Sequence, residues 1–161
     1  MKRKVYRLIV TPQTHVRATQ GDRLFFRIPR EKLRPGGLRR LERLERYNQY
    51  KVDIRAEALR IKFQFPPQGA QIRFYIPCPK SWSKKKKKQY HNTLHASRPD
   101  IDNCLKALLD SLFVEDKYIG HLEVSKHWVD FDIGWVEIEV KDPVFPMVSP
   151  PAEHEKVSVL S

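Results

Sequence analysis

Residues Arg98–Lys117 read RPDIDNCLKALLDSLFVEDK, and the rest of the chain is organised around them. Ile101, Leu105, Leu108, Leu109 and Leu112 recur at i, i+4, i+7, i+8 and i+11, the apolar stripe of an amphipathic helix. Pro99 holds Arg98 extended and suits a first helical turn, so the pattern predicts a helix starting near Asp100. On it, Asp102 and Lys106 share a face one turn apart. Past the helix a second acidic pair, Glu115-Asp116, falls in a short link before the next apolar run.

Acids at a helix start have a plain structural explanation. They suit the positive end of the helix dipole and cap free N–H groups, and a lysine one turn later adds a modest ion pair. The other explanation is chemical. Hard divalent ions such as Mg²⁺ take carboxylate oxygens at about 2.0–2.1 Å and keep waters and substrate phosphate oxygens as well. The chain carries 31 Lys+Arg against 19 Asp+Glu, a net charge of +12, which makes a polyanion its natural partner. Clustered acids inside such a protein would repel DNA unless a cation stood between them.

The string Pro99-Asp100-Ile101-Asp102-Asn103, with Leu105-Lys106-Ala107, Asp110-Ser111-Leu112 and Glu115-Asp116, resembles the signature of the RusA family of Holliday junction resolvases. That signature is Asp-x-Asp-Asn, a lysine four residues after the second Asp, and an Asp about fourteen positions later. The likeness spans roughly residues 4–141, through a first strand ending in proline, a basic loop, a helix and Phe74-Tyr75-Ile76-Pro77. It implies a small, metal-dependent endodeoxyribonuclease, often carried by prophages. It further implies a homodimer whose two acidic sites cut opposing strands of branched DNA, a four-way junction. Carried over residue by residue, the catalytic set is Asp100, Asp102, Lys106 and Asp116. Asp100, Asp102 and Asp116 hold one or two Mg²⁺ ions (or Mn²⁺), and Lys106 neutralises charge at the reacting phosphate. Glu115 is a further ligand or an outer-shell base, and Asn103 and Asp110 cap and orient the helix. One departure is Leu109, where the prototype has a Phe. If that ring wedges bases apart, Phe113 is a candidate to replace it. Two other readings stay open: a nuclease preferring flaps or forks, and a non-catalytic basic DNA-binding module whose acids merely cap a helix.

Length and composition agree with one domain over 1–141, followed by a proline-rich tail, 142–161, expected to be disordered. No apolar run approaches a bilayer span and Met1-Lys2-Arg3-Lys4 precedes no signal-type region, so the expected location is cytoplasmic; the resemblance implies that the chain is bacterial or phage-encoded. Neither a membrane nor a small-molecule substrate is expected. Cys78 and Cys104 lack metal-ligand spacing, and Cys104 reads as a small buried side chain.

Along the chain, residues 4–10 read as a strand stopped by Thr11-Pro12. Pro12 to Pro35 is a long basic loop, expected to be either a DNA-contacting arm using Arg17 and Arg23 or a solvated, disordered insertion. Gly36-Gly37 is expected to break the chain before a helix over 38–61 with Tyr47, Tyr50, Ile54, Ala58 and Ile61 recurring at helical spacing. A turn at Pro66–Gly69 leads to a strand over 71–76. Lys84, Lys85, Lys86, Lys87 and Lys88 are expected on DNA, carried by a short helix that Ser81 or Ser83 caps, with Arg98 beside them. His91 and His95 read as partly exposed loop residues. Tyr118-Ile119, Leu122–Val129 and Gly134–Val140 read as strands, the last two as an antiparallel hairpin. Glu123 and Lys126 stand one residue too far apart for the acid-x-Lys tripeptide of PD-(D/E)xK nucleases. The expected fold is α+β, a mixed sheet packed with helices in the order β-α-β-α-β-β.

Overall fold

Alternation along residues 70–77 sets the centre of the molecule. Ala70, Ile72, Phe74 and Ile76 are buried and the residues between them half-buried, a period-2 pattern that gives the strand two distinct faces. The computed structural model describes residues 3–66, 68–142 and 146. It contains four strands, β1 (Val5–Leu8), β2 (Ala70–Pro77), β3 (Leu122–Val129) and β4 (Trp135–Val140), in one mixed sheet of order β1-β4-β2-β3. β3 lies parallel to β2 with Lys126 opposite Phe74, and β4 lies antiparallel on the other side with Val136 opposite Phe74. β1 flanks β4, Leu8 opposite Val136.

The α+β class and mixed sheet are as expected; the hairpin is not. β2 sits between β3 and β4, so 130–134 carries the chain across the end of β2 instead of folding it back. Gly134 makes that crossing feasible: a Cβ there would lie 2.2 Å from the Tyr75 carbonyl oxygen. The alternating apolar pattern of both runs says that they are strands but not which strand each pairs with. Tyr118-Ile119 is no strand either, since the Ile119 N–H closes a turn on the Asp116 carbonyl (3.0 Å). The first strand is also shorter than residues 4–10.

Parallel pairing of β2 and β3 requires a long crossover. It carries α3 (Lys84–Tyr90) and α4 (Ile101–Leu112). α2 (Pro35–Arg60) lies against α4, burying Leu41, Leu44, Tyr47, Tyr50, Ile54 and Ala58, while α4 buries Cys104, Ala107, Leu108, Leu109 and Leu112. Each such large apolar side chain contributes about 1.5–3 kcal/mol on burial. Gly36-Gly37 does not break the chain before α2 but lies in its first turn, behind Pro35 at a position where proline favours the helix. Gly37 leaves room for the Phe25 ring, which a Cβ would approach to 3.1 Å.

The segment over 12–35 is not a solvated insertion. It contains α1 (Asp22–Phe25) and a 3₁₀ turn (Arg30–Lys32), and buries Val16. Asp22 anchors it, accepting from Arg40 Nε (2.9 Å) and Nη2 (2.8 Å) on α2 and from the Thr19 N–H (2.6 Å). Those bonds hold its carboxyl far below the usual carboxylate range.

The sheet face away from α2 and α4 carries acids that the alternation places on it but whose burial it does not reveal. Glu137 and Glu139 are only 8% and 6% exposed. Glu137 accepts from Arg7 Nη2 (2.6 Å), Arg73 Nε (3.3 Å), Tyr75 OH (3.1 Å) and Trp135 Nε1 (3.3 Å). Glu139 accepts from Arg73 Nη1 (2.8 Å) and Arg3 Nη1 (3.4 Å). His95 is a further correction: it is buried, its ring 3.6 Å from that of Trp128, while His91 is half-buried and accepts the Asp130 N–H at Nδ1 (3.0 Å). The proline-rich tail falls, but for Asp142 and Pro146, outside the described residues, as does Pro67 of the turn before β2.

Candidate metal and nucleic-acid site

Asp100 is the N-cap residue of α4 and Asp102 lies in its first turn. The Asp100 carbonyl accepts the Cys104 N–H (3.1 Å) and opens the helix, yet its carboxylate makes no capping hydrogen bond. Among the described residues, neither carboxylate has a hydrogen-bond or ion-pair partner, and the expected pairing of Asp102 with Lys106 does not form. The plain explanation for these acids therefore loses capping and pairing and keeps only the helix dipole. Beneath them the Cys104 thiol is fully buried, and burial pushes it up to about 11.

Asp100 opens onto a depression of about 410 Å³ shared with Thr14, His15, Arg43, Arg98 and Asn103. Arg43 and Arg98 are exposed and have no acid partner among the described residues. His15 reaches the depression because its N–H donates to the Asn103 carbonyl (3.1 Å) while its Nε2 lies 3.1 Å from Asp110 Oδ2. The same Asp110 oxygen accepts from Tyr47 OH (3.4 Å). Asp110 thus ties α4 to α2 and to the segment before α1, rather than capping its helix. Burial lowers the His15 pKa and Lys106, Lys51 and Arg17 push the same way, against Asp110; the result lies below the ordinary value. His15 and Arg43 are functional candidates that the sequence reading missed. No local motif marks them, because only the packing of three separate segments brings them to Asp100.

Asp116 is exposed in the link past the far end of α4. A helix of 12 residues separates its two ends by about 18 Å. Among the described residues no three His, Cys, Asp or Glu side chains gather as a metal ion would need. One chain therefore brings Asp100 and Asp102 to one helix end and leaves Asp116 at the other. Glu115 is occupied by Lys117 (2.5 Å). Phe113 is buried, edge-on to Phe65 (5.2 Å between centroids), and so is not available as a wedge between bases.

Two carboxylates still match what Mg²⁺ asks of a protein, which is one or two acids with waters and substrate phosphate completing the shell. The cations around the site divide cleanly. Arg40, Arg73, Arg7 and Arg60 are each committed to an acid. Arg17, Arg23 and Arg98 are exposed and pair with none among the described residues. The lysine run forms α3 as expected, capped by Ser83 Oγ, which accepts the Lys86 N–H (3.2 Å). Lys86 lies over the Trp82 ring (4.1 Å), and Trp82 packs on Tyr90 and Trp128 (4.9 Å each). Lys86 of the run is thus held by an aromatic platform rather than by an acid. Lys126, on β3, is not a free cation: its Nζ donates to the carbonyls of Ser97 (2.6 Å) and Pro99 (2.5 Å).

A family model described as endodeoxyribonuclease RusA matches residues 29–141. No curated protein and no solved structure matches the chain.

Proposed function

Because the chain belongs to the RusA endodeoxyribonuclease family, we propose that it is a metal-dependent enzyme that resolves four-way DNA junctions in recombination and repair. A homodimer would cut two opposing strands. The observation that carries the metal site is the isolation of Asp100 and Asp102: two acids at one helix end, without partner among the described residues, in a chain of net charge +12. A Mg²⁺ or Mn²⁺ ion held there supplies charge stabilisation at the scissile phosphate.

The chain's own residues do the rest. Lys106, one turn beyond Asp102 and uncommitted, offers a compact positive charge to the phosphate as negative charge builds on it. Arg43 and Arg98, facing Asp100 across the depression, suit the phosphates that flank the cut, where guanidinium groups bind two oxygens at once. The lysines of α3, with Arg17 and Arg23, extend this positive surface, and each lysine–phosphate contact releases condensed counterions. Asp116 reaches a common metal centre with Asp100 and Asp102 only from a second copy of the chain, so the dimer is part of the proposal.

A non-catalytic binding module, whose acids would serve only the helix dipole, is separated by metal dependence, since it cuts no DNA with or without Mg²⁺. A flap or fork nuclease shares all of this chemistry and is separated by substrate. The deciding experiment incubates the protein with four-way, forked and linear duplexes, with Mg²⁺ or with chelator. Symmetric nicks in the four-way substrate, abolished by chelator, are expected. Cutting of forks alone would move the function to the alternative, and no cutting of any substrate would overturn the nuclease reading.

A further inference from the structure

Residues 96–99 belong to no helix or strand, yet they deliver Asp100 to its place. A single residue of β3 holds them. The Lys126 carbonyl accepts the His95 N–H (2.9 Å), next to the isolated bridge between Leu94 and His127. The Lys126 ammonium then donates to the carbonyls of Ser97 (2.6 Å) and Pro99 (2.5 Å). Residues 95, 97 and 99, alternate links of the chain entering α4, are all fastened to Lys126.

We propose that Lys126 is a positioning residue of the acidic site, a clip whose ammonium fixes the Pro99–Asp100 peptide and so aims the Asp100 carboxylate. The proposal rests on the nuclease reading above. The peptide unit is planar, so a carbonyl oxygen held at Pro99 also fixes the Asp100 nitrogen and Cα. Charge-assisted hydrogen bonds are short and roughly twice as strong as neutral ones, as the two distances show. The partners chosen are informative. A half-buried ammonium ordinarily seeks a carboxylate. Yet two carbonyls take its N–H groups, leaving both acids open to a cation.

Outer groups that orient metal ligands typically matter about 10–100-fold in metal affinity. The test titrates wild type, Lys126→Met and Lys126→Gln with Mn²⁺ alone, read by electron paramagnetic resonance. Junction affinity in chelator and circular dichroism are measured alongside. Expected is Mn²⁺ affinity lower by about tenfold or more in Lys126→Met, with folding and chelated DNA affinity unchanged. If Lys126→Met does not fold, Lys126→Gln carries the test: its tip is polar but reaches one bond less, and the same loss is expected. A folded variant that binds Mn²⁺ like wild type overturns the clip alone. Wild type that neither binds Mn²⁺ nor cuts DNA overturns the nuclease reading beneath it.

Discussion

Glu137 and Asp102 are both acids in a strongly basic protein, and the fold treats them in opposite ways. Glu137, with Glu139, is sunk into the outer sheet face among Arg7, Arg73, Tyr75 and Trp135. Asp102, with Asp100, stands at the start of α4 and is given no partner among the described residues. A carboxylate kept for structure is saturated by neighbouring donors, because one stripped of water without them is costly. A carboxylate kept for a cation, as proposed for Asp100 and Asp102, must be left open. Pairing, rather than residue type or position on an element, is what separates the two sets.

The sharpest way to break this contrast is Asp102→Asn. Cleavage should fall at least about a thousandfold, near 4 kcal/mol of lost transition-state stabilisation. Melting temperature should hold, and junction affinity in chelator should stay equal or tighten, because one charge facing phosphate is gone. Full activity in this variant would place the metal elsewhere. Glu137→Gln should do the reverse. Removing one partner of a buried ion pair strands the others, costing about 3 kcal/mol, seen as a lower melting temperature. Cleavage per folded molecule should be unchanged. If Glu137→Gln instead lost activity without losing stability, the sheet face would belong to the working surface.

A smaller effect is expected on α3. Replacing Lys84, Lys85 and Lys88 with Gln should flatten the plot of log affinity against log salt by up to about 0.9 for each phosphate no longer neutralised, while the cutting rate at saturating DNA stays the same. An unchanged salt slope would make α3 a merely solvated helix. The smallest effect is in acid. Burial pushes the Glu137 pKa up, but hydrogen bonds from Arg7, Trp135 and Tyr75 outweigh it, and the Arg73 hydrogen bond chiefly lowers that of Glu139. Both folded-state values lie below the ordinary 4.5. Their stabilisation is therefore complete above that value and lost as pH falls through the lowered one. Thermal melts taken as pH falls from about 6 through and below the ordinary carboxyl value should decline more steeply in wild type than in Glu137→Gln.

What could be read in the sequence was whatever a local period encodes. The stripe Ile101–Leu112 gave α4, the alternation of 71–76 gave β2, and Ser81 or Ser83 announced the start of α3. Partnership between distant segments was not legible. The runs after α4 were strands, but nothing local said that β2 would stand between them. The arm before α2 reads equally as a DNA-contacting arm and as a disordered insertion, because its anchor, Asp22 to Arg40, spans two elements. His95 looked like a loop residue because Trp128, on which it packs, arrives from β3. The acids of the motif were visible as letters, and so was the place of Asp116 past the helix; that Asp100 and Asp102 would be left unpaired required coordinates.

The sheet order has a consequence for how the molecule is made. β4, the last of the four strands to leave the ribosome, is inserted between β1 and β2, so β1 has nothing to pair with until β4 emerges. An mRNA truncated upstream of Trp135 would yield not a shortened nuclease but a chain with a gap through its middle. Nascent copies would stay inert, and open to quality-control proteases, until this keystone is in place.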